Sequence, residues 1–166
     1  KLLERSTNEV DLVQLMLELA GDAYPDLDRV GVLMEIDRLG VACSDDLQDG
    51  GDKSLVDRLE AVSRRLYDIE GFHGDAEHYY EPENSYLNRV LERRCGIPIT
   101  LGIVYMAVAA RAGLRVFGVN TPGHFVVGCC ERANGGSTNR IWYIDPFNGG
   151  EVLDRAECKH RIEQII

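Results

Sequence analysis

The stretch CGIPITLGIVYMAVAARAG, residues 95–113, decides how the rest of this chain must be arranged. Pro98 suits the first turn of a helix, where its missing N–H costs nothing and its fixed φ is already helical. From there Ile99, Leu101, Ile103, Val104, Met106, Ala107, Val108 and Ala110 leave little polar surface, and Ala112-Gly113 ends the run. A helix that is apolar on most sides has to be covered on most sides. The spacing therefore predicts a central buried helix with other elements packed around it.

Both flanks supply such elements. Upstream, apolar residues recur at helical intervals. Val10, Leu12, Val13, Leu15, Met16, Leu17, Leu19 and Ala20 form a first helix that ends near Gly21. Val30, Leu33, Met34, Ile36 and Leu39 mark a second, capped by Asp26 or Asp28. Leu55, Val56, Leu59, Val62 and Leu66 mark a third, from Leu55 to Tyr67. The acidic segment SDDLQDGGDK, residues 44–53, reads as an exposed loop. Residues 71–83 are rich in glycine, histidine and tyrosine and read as irregular. Glu83-Asn84-Ser85 then offers a capping start to a short helix closed by Arg93 and Arg94.

Downstream the period becomes extended. Residues 114–119, 125–130 and 141–144 read as short β-strands, with a loop at 135–139 and a helical tail from Arg155. Helices followed by consecutive strands make an α+β chain. Its expected parts are an N-terminal helical region, 1–78, and a core, 79–166, in which the central helix packs on a small antiparallel sheet. The two are expected to form one compact unit.

Composition narrows the function classes. The chain has 166 residues, an ordinary single-domain length. Its 18 Lys+Arg against 28 Asp+Glu give a net charge of −10, which repels nucleic acid and anionic membranes. No apolar run approaches the roughly 20 residues that span a bilayer. Five cysteines, an odd number without a C-x-x-C pair, point to free thiols in a reducing cytoplasm rather than to a disulfide framework. The chain starts at Lys1 without an initiator methionine, so targeting signals stay open. His73 and His78 stand near Glu77 and Glu81, but their spacing matches no familiar metal cluster. No metal and no cofactor is expected.

Three features could carry chemistry. His124 opens a strand after the Pro122-Gly123 turn, and Asp145 ends the next strand, before Pro146. Antiparallel pairing would bring the start of one strand beside the end of the other. The imidazole would then be oriented by an acid, as in the base half of a nucleophilic triad. The third feature is Cys95, in the turn that enters the buried helix, where the positive end of the helix dipole favours a thiolate or an oxyanion. Each has a plainer reading: a turn histidine, an Asp-Pro turn starter bonded to its own backbone, and a small apolar filler.

The motifs NSYLNRVLERR (84–94), GIPITL (96–101), PGHF (122–125) and IDPFNGG (144–150) resemble the SirB-type branch of the transglutaminase-like superfamily. The resemblance runs from Tyr80 to Leu153 and extends to the preceding helices. It implies a papain-like α+β core with a triad of Cys at a helix start, His on the next strand and Asp on the strand after. It also implies a helical tetratricopeptide-type region following the core, and a similar domain in some eukaryotic F-box proteins. On that pattern His124 and Asp145 match the family's His and Asp. The family's Gly-x-Cys slot falls on Gly96-Ile97-Pro98, with proline where active superfamily members carry the thiol.

Proline cannot attack an acyl carbon. The first expectation is therefore a domain without transglutaminase activity that works as a protein- or peptide-binding or regulatory module. Tyr80, Asn84 and Thr100 are its candidate binding residues. The second is a cysteine-dependent acyl hydrolase or transferase using Cys95 with His124 and Asp145. Thr100 stands roughly 200° around the helix from Pro98, away from the slot, which leaves Cys95 as the better substitute thiol. Strand alternation turns one of Cys129 and Cys130 into the core and the other out.

Overall fold

A computed structural model describes residues 7–132 and 139–166 of the chain, with side chains from residue 12 onward. The expected loop at 135–139 lies, apart from Asn139, outside the described residues. Helices α1 (Thr7–Ala23), α2 (Arg29–Gln48) and α3 (Leu55–Ser63) come first, and α3 runs on into a π-helical turn, Arg64–Ile69. A two-residue strand β1 (His73–Gly74), a 3₁₀ turn (Pro82–Ser85), helix α4 (Leu87–Arg93) and strand β2 (Cys95–Gly96) lead into α5 (Pro98–Arg111). Strands β3 (Val116–Thr121), β4 (His124–Glu131), β5 (Arg140–Asp145) and β6 (Glu151–Leu153) form an antiparallel sheet in sequential order. Helix α6 (Arg155–Ile165) closes the chain. The α+β class is as expected.

Helix α5 is the hub. Eleven of its 14 residues are buried, Thr100 included. Tyr105 is wholly enclosed, and its hydroxyl donates to the Leu59 carbonyl (3.0 Å) on α3. One hydrophobic cluster joins Leu17 of α1, Ile36 and Leu39 of α2, Leu59 and Val62 of α3, Val104 and Val108 of α5, and Val127 and Ile144 of the sheet. Burying each such side chain stabilises by roughly 1.5–3 kcal/mol, so the helices and the sheet are held by the same apolar contacts. Close approach depends on small residues at two places. A Cβ on Gly40 of α2 would lie 2.5 Å from the Arg111 Cβ, and one on Gly102 of α5 would lie 2.5 Å from the Phe125 ring.

Several local expectations shift for identifiable reasons. Helix α1 passes through Gly21 to Ala23 rather than stopping there. Asp28, not Asp26, caps α2, its Oδ1 accepting from the Gly31 N–H at 2.9 Å. The buried stripe of α2 is Ile36, Leu39, Gly40 and Cys43, which leaves Val30 and Met34 exposed. The first five residues of the expected 44–53 loop belong to α2. Arg65 grips Asp46 with two hydrogen bonds (2.7 and 2.8 Å), and Lys53 Nζ donates to the Asp46 carbonyl, so the acidic end is neutralised and stays helical. Ser85 does not cap α4: that helix starts at Leu87 without a side-chain cap. The short strand β6 carries no apolar alternation long enough to read from sequence. As alternation requires, Cys129 is buried and Cys130 exposed.

Candidate functional site

The β3–β4 connection is a two-residue hairpin in which Gly123 takes φ 70°, a conformation natural to glycine. Thr121 Oγ1 donates to the His124 carbonyl (2.8 Å), which fixes the first residue of β4. The β4–β5 register pairs Val127 with Ile144, so the end of β5 runs alongside the beginning of β4. His124 and Asp145 meet there. His124 Nε2 donates to Asp145 Oδ1 at 2.9 Å, and both side chains are buried. The Phe147 ring stands edge-on to the imidazole, 6.4 Å between centroids.

Asp145 serves two purposes at once. It starts its own turn, accepting from the backbone N–H groups of Phe147 (3.1 Å) and Asn148 (3.2 Å), and it also receives His124. Oδ2 accepts from Asn148 Nδ2 and from Arg161 Nη1, each at 2.8 Å. Burial pushes the carboxyl upward. Hydrogen bonds from His124 and Asn148 and the charges of His124 and Arg161 outweigh it and hold Asp145 at about 2. The carboxylate is thus firmly ionised, as a group that orients an imidazole must be. The turn is tied down from outside: Tyr67 donates to the Pro146 carbonyl and Ser63 to the Gly150 carbonyl, each at 2.6 Å. Arg161 and Asn148 were not foreseen from sequence. The tail helix gives no periodic sign that one of its arginines turns back toward β5.

Pro98 is the first residue of α5, as its type suggests. It lines a cleft of about 310 Å³ whose walls include Tyr79, Ile99, Asn120, Thr121 and His124. The helix start and the imidazole therefore face the same space. Among the described residues His124 Nδ1 has no hydrogen-bond partner, so the ring keeps one nitrogen for whatever enters. The imidazole, with Asp145 bonded behind it, and the N-terminal end of α5 with its Pro98 ring thus border one cleft.

The remaining candidates lie elsewhere. Cys95 is buried in β2, paired with His73 of β1, and its thiol lies against Asp75 rather than in the cleft. Burial, then the Asp75 charge, push that thiol upward, the opposite of what a nucleophile needs. Asn84 is fully buried. Its Nδ2 donates to Asp75 Oδ2 (3.1 Å) and the His78 carbonyl (2.9 Å), and its Oδ1 accepts from Arg93 (3.1 Å). Thr100 Oγ1 donates to the Asn84 carbonyl at 2.8 Å and receives the Ile97 N–H at 3.2 Å. Cys95, Asp75, Asn84, Arg93 and Thr100 thus form a second polar cluster behind the turn that delivers Pro98. Tyr80 stands 94% exposed against Tyr79, which itself packs on Phe147. His73 and His78 do not converge with acids into a metal cage, and among the described residues no group of three or more His, Cys, Asp or Glu does. No helix among the described residues is long and apolar enough to cross a membrane.

Comparison with known proteins agrees with this core. The sequence profile of the transglutaminase-like superfamily matches residues 31–166. A UPF0162 protein of Xylella fastidiosa strain 9a5c is 37% identical over 153 residues, which covers 91% of this chain and 51% of that protein. F-box only protein 21 of Mus musculus is 38% identical over 110 residues, 65% of this chain and 18% of that protein. The human protein of that name is 37% identical over the same length. The chain spans about half the length of the Xylella relatives it matches. No solved structure matches it. With an α+β core of this topology and a profile match over most of its length, the chain belongs to the transglutaminase-like superfamily.

Proposed function

We propose that this chain is a SirB-type transglutaminase-like domain that lacks transglutaminase activity and binds a protein or peptide segment in the His124 cleft. One observation carries the reading: Pro98 and His124 line the same cleft, so the position facing the imidazole holds no nucleophile. Losing one member of a catalytic triad costs several orders of magnitude in rate. The kept His124–Asp145 pair then shapes the cleft and offers an imidazole nitrogen to a ligand carbonyl or N–H. Asn84 and Thr100 contribute indirectly, by fixing the turn before α5, whereas Tyr79, Tyr80 and Ile99 supply apolar surface at its mouth. The five free cysteines suit a reducing, cytoplasmic setting.

The competing enzymatic reading needs Cys95 to reach His124, and the Cys95 thiol is engaged with Asp75 behind the helix start. The binding reading has a direct test. Peptides selected from a random display library on the immobilised chain should bind a cleft that includes Ile99, a residue 48% exposed on α5. Ile99→Glu, which does not disturb the interior, should weaken the selected peptides about tenfold or more, as expected for a charge placed in an apolar contact. Tyr80→Ala should weaken them less. Isothermal titration reads both. A library that yields no binders, or binders indifferent to Ile99→Glu, overturns the proposal.

A further inference from the structure

Among the described residues β3 has one neighbour in the sheet, β4, so its far edge is open. The register says which backbone groups stand on that edge. Thr121 and His124 face each other across the Pro122-Gly123 turn and form a hydrogen-bonded pair, and by alternation so do Val119 with Val126 and Phe117 with Gly128. The N–H and C=O groups of Gly118 and Asn120 therefore point away from β4. Both residues are exposed. Gly118 has only backbone to expose, and it cannot carry a side chain: a Cβ there would lie 2.6 Å from the Phe125 ring. Among the described residues no turn, loop or side chain supplies the missing partners.

Sheet edges are usually blunted by charges, proline or a bulge. Strand β3 reads VFGVNT, with neither charge nor proline, and its six residues pair with β4 without a bulge. Apolar side chains flank the edge on both faces. Gly118 faces Met106 of α5, so alternation puts the exposed Phe117 on the opposite face. On the α5 side stand Phe125 and the exposed Ile99, which line the His124 cleft together with Asn120 and Thr121. The cleft and the open edge are thus continuous through Asn120. Donors and acceptors repeated at alternate residues are matched by one kind of partner, an extended backbone.

We propose that the peptide held in the His124 cleft continues along β3 as an added strand, pairing its backbone with Gly118 and Asn120. The inference rests on the cleft reading above and names how the segment is held. Its partner is an extended segment, free of proline at the pairing positions, with apolar side chains that fall alternately beside Phe117 and beside Ile99.

The probes are peptides selected from the random display library and resynthesised with single backbone N-methyl groups along their length. By calorimetry, methylation should weaken binding about tenfold or more at two alternate positions and leave the position between them nearly unaffected. Asn120→Pro removes an outward N–H and spares the β3–β4 ladder, a place where an edge strand accepts proline. It should also weaken the peptides about tenfold or more, whereas Asn120→Ala, which keeps the N–H, should weaken them less. Hydrogen exchange reads the same edge without substitution. In the free chain the Gly118 and Asn120 amides should exchange faster than those of Phe117 and Val119, and bound peptide should slow them. If Asn120→Pro lowers the denaturant midpoint, the methyl scan and the exchange decide. Peptides that respond to Ile99→Glu but ignore both methylation and Asn120→Pro overturn strand addition and leave the cleft reading standing. Peptides that ignore Ile99→Glu but respond to methylation and Asn120→Pro overturn the cleft reading and keep strand addition. A library without binders overturns both. Asn120→Ala as damaging as Asn120→Pro assigns the contact to the side chain and overturns the proposal. Protection of the Gly118 and Asn120 amides that rises with chain concentration alone gives the edge to a second copy, which also overturns it.

Discussion

Replacing Pro98 with cysteine is expected to create a reactive thiol that His124 activates. The new side chain would line the same cleft as the imidazole, at the first turn of a 14-residue helix. The helix dipole and an imidazole partner both favour the thiolate, and pairs of this kind lower a thiol from about 8.5 to values below 7. A lower pKa also makes each thiolate a weaker nucleophile, by roughly tenfold for a drop of 2–2.5 units. At neutral pH the two effects nearly cancel. The sensitive reading is therefore the pH profile: at pH 6 the Pro98→Cys thiol should be alkylated about tenfold faster than glutathione, whose rate falls tenfold per pH unit there. Adding His124→Ala should return the profile to that of an ordinary thiol. The loss of Pro98 itself costs little, because a first-turn position does not require proline. Iodoacetamide kinetics followed by intact mass, with Cys130→Ser removing the exposed background thiol, measure this directly. A profile unaffected by His124→Ala would mean that the imidazole does not face the helix start.

The largest stability effect is expected at Asp145. Its carboxylate is wholly buried and accepts from His124, Arg161, Asn148 and two backbone N–H groups. Asp145→Ala leaves the buried imidazole and two backbone N–H groups without their acceptor, while Arg161 keeps Glu151, and breaking a buried pair on one side costs about 3–5 kcal/mol. For a domain of this size that corresponds to a melting temperature lower by roughly 10 °C or more. The sign with pH follows from the depressed carboxyl. A group held at about 2 when folded, against an ordinary 3.8, contributes stability that is fully present above the unfolded value and is lost as pH falls through the folded one. Between those values the contribution fades by on the order of 2 kcal/mol. Glu35, held at about 2 chiefly by its hydrogen bond to Arg38, titrates over the same range. Asp145→Asn, compared with the unaltered chain by urea denaturation at each pH, isolates the Asp145 share. The stability gap between the two should be widest above pH 5 and narrow as pH falls toward 2. A gap independent of pH would show that the charge of Asp145 contributes nothing.

The helix at 98–111 and the antiparallel sheet were legible because burial leaves a direct trace in residue type: α5 had no polar face to give to water, and the strands change period at Gly113. His124 and Asp145 were legible as a pair because strand order alone places the start of β4 beside the end of β5. The assignment of Pro98 to the nucleophile slot is a proposal that rests on the Gly-x-Cys pattern of the family resemblance and on the cleft Pro98 shares with His124. What stayed hidden depends on three-dimensional partners. At the end of α2, Asp46 is met by Arg65, which arrives from α3's continuation, and by Lys53. Arg161 reaches Asp145 from a helix whose sequence is polar nearly all round. The environment of Cys95 was equally unreadable, since Asp75 lies 20 residues upstream in a segment without periodicity and meets it through a two-residue parallel pairing.

No cysteine lines the cleft that His124 borders. Mapping iodoacetamide label across the five native cysteines at neutral pH tests it most directly. The exposed Cys130 should label first, Cys95 should stay protected beside Asp75, and His124→Ala should change neither. Cys95 labelling faster than Cys130, and losing that advantage in His124→Ala, would contradict it.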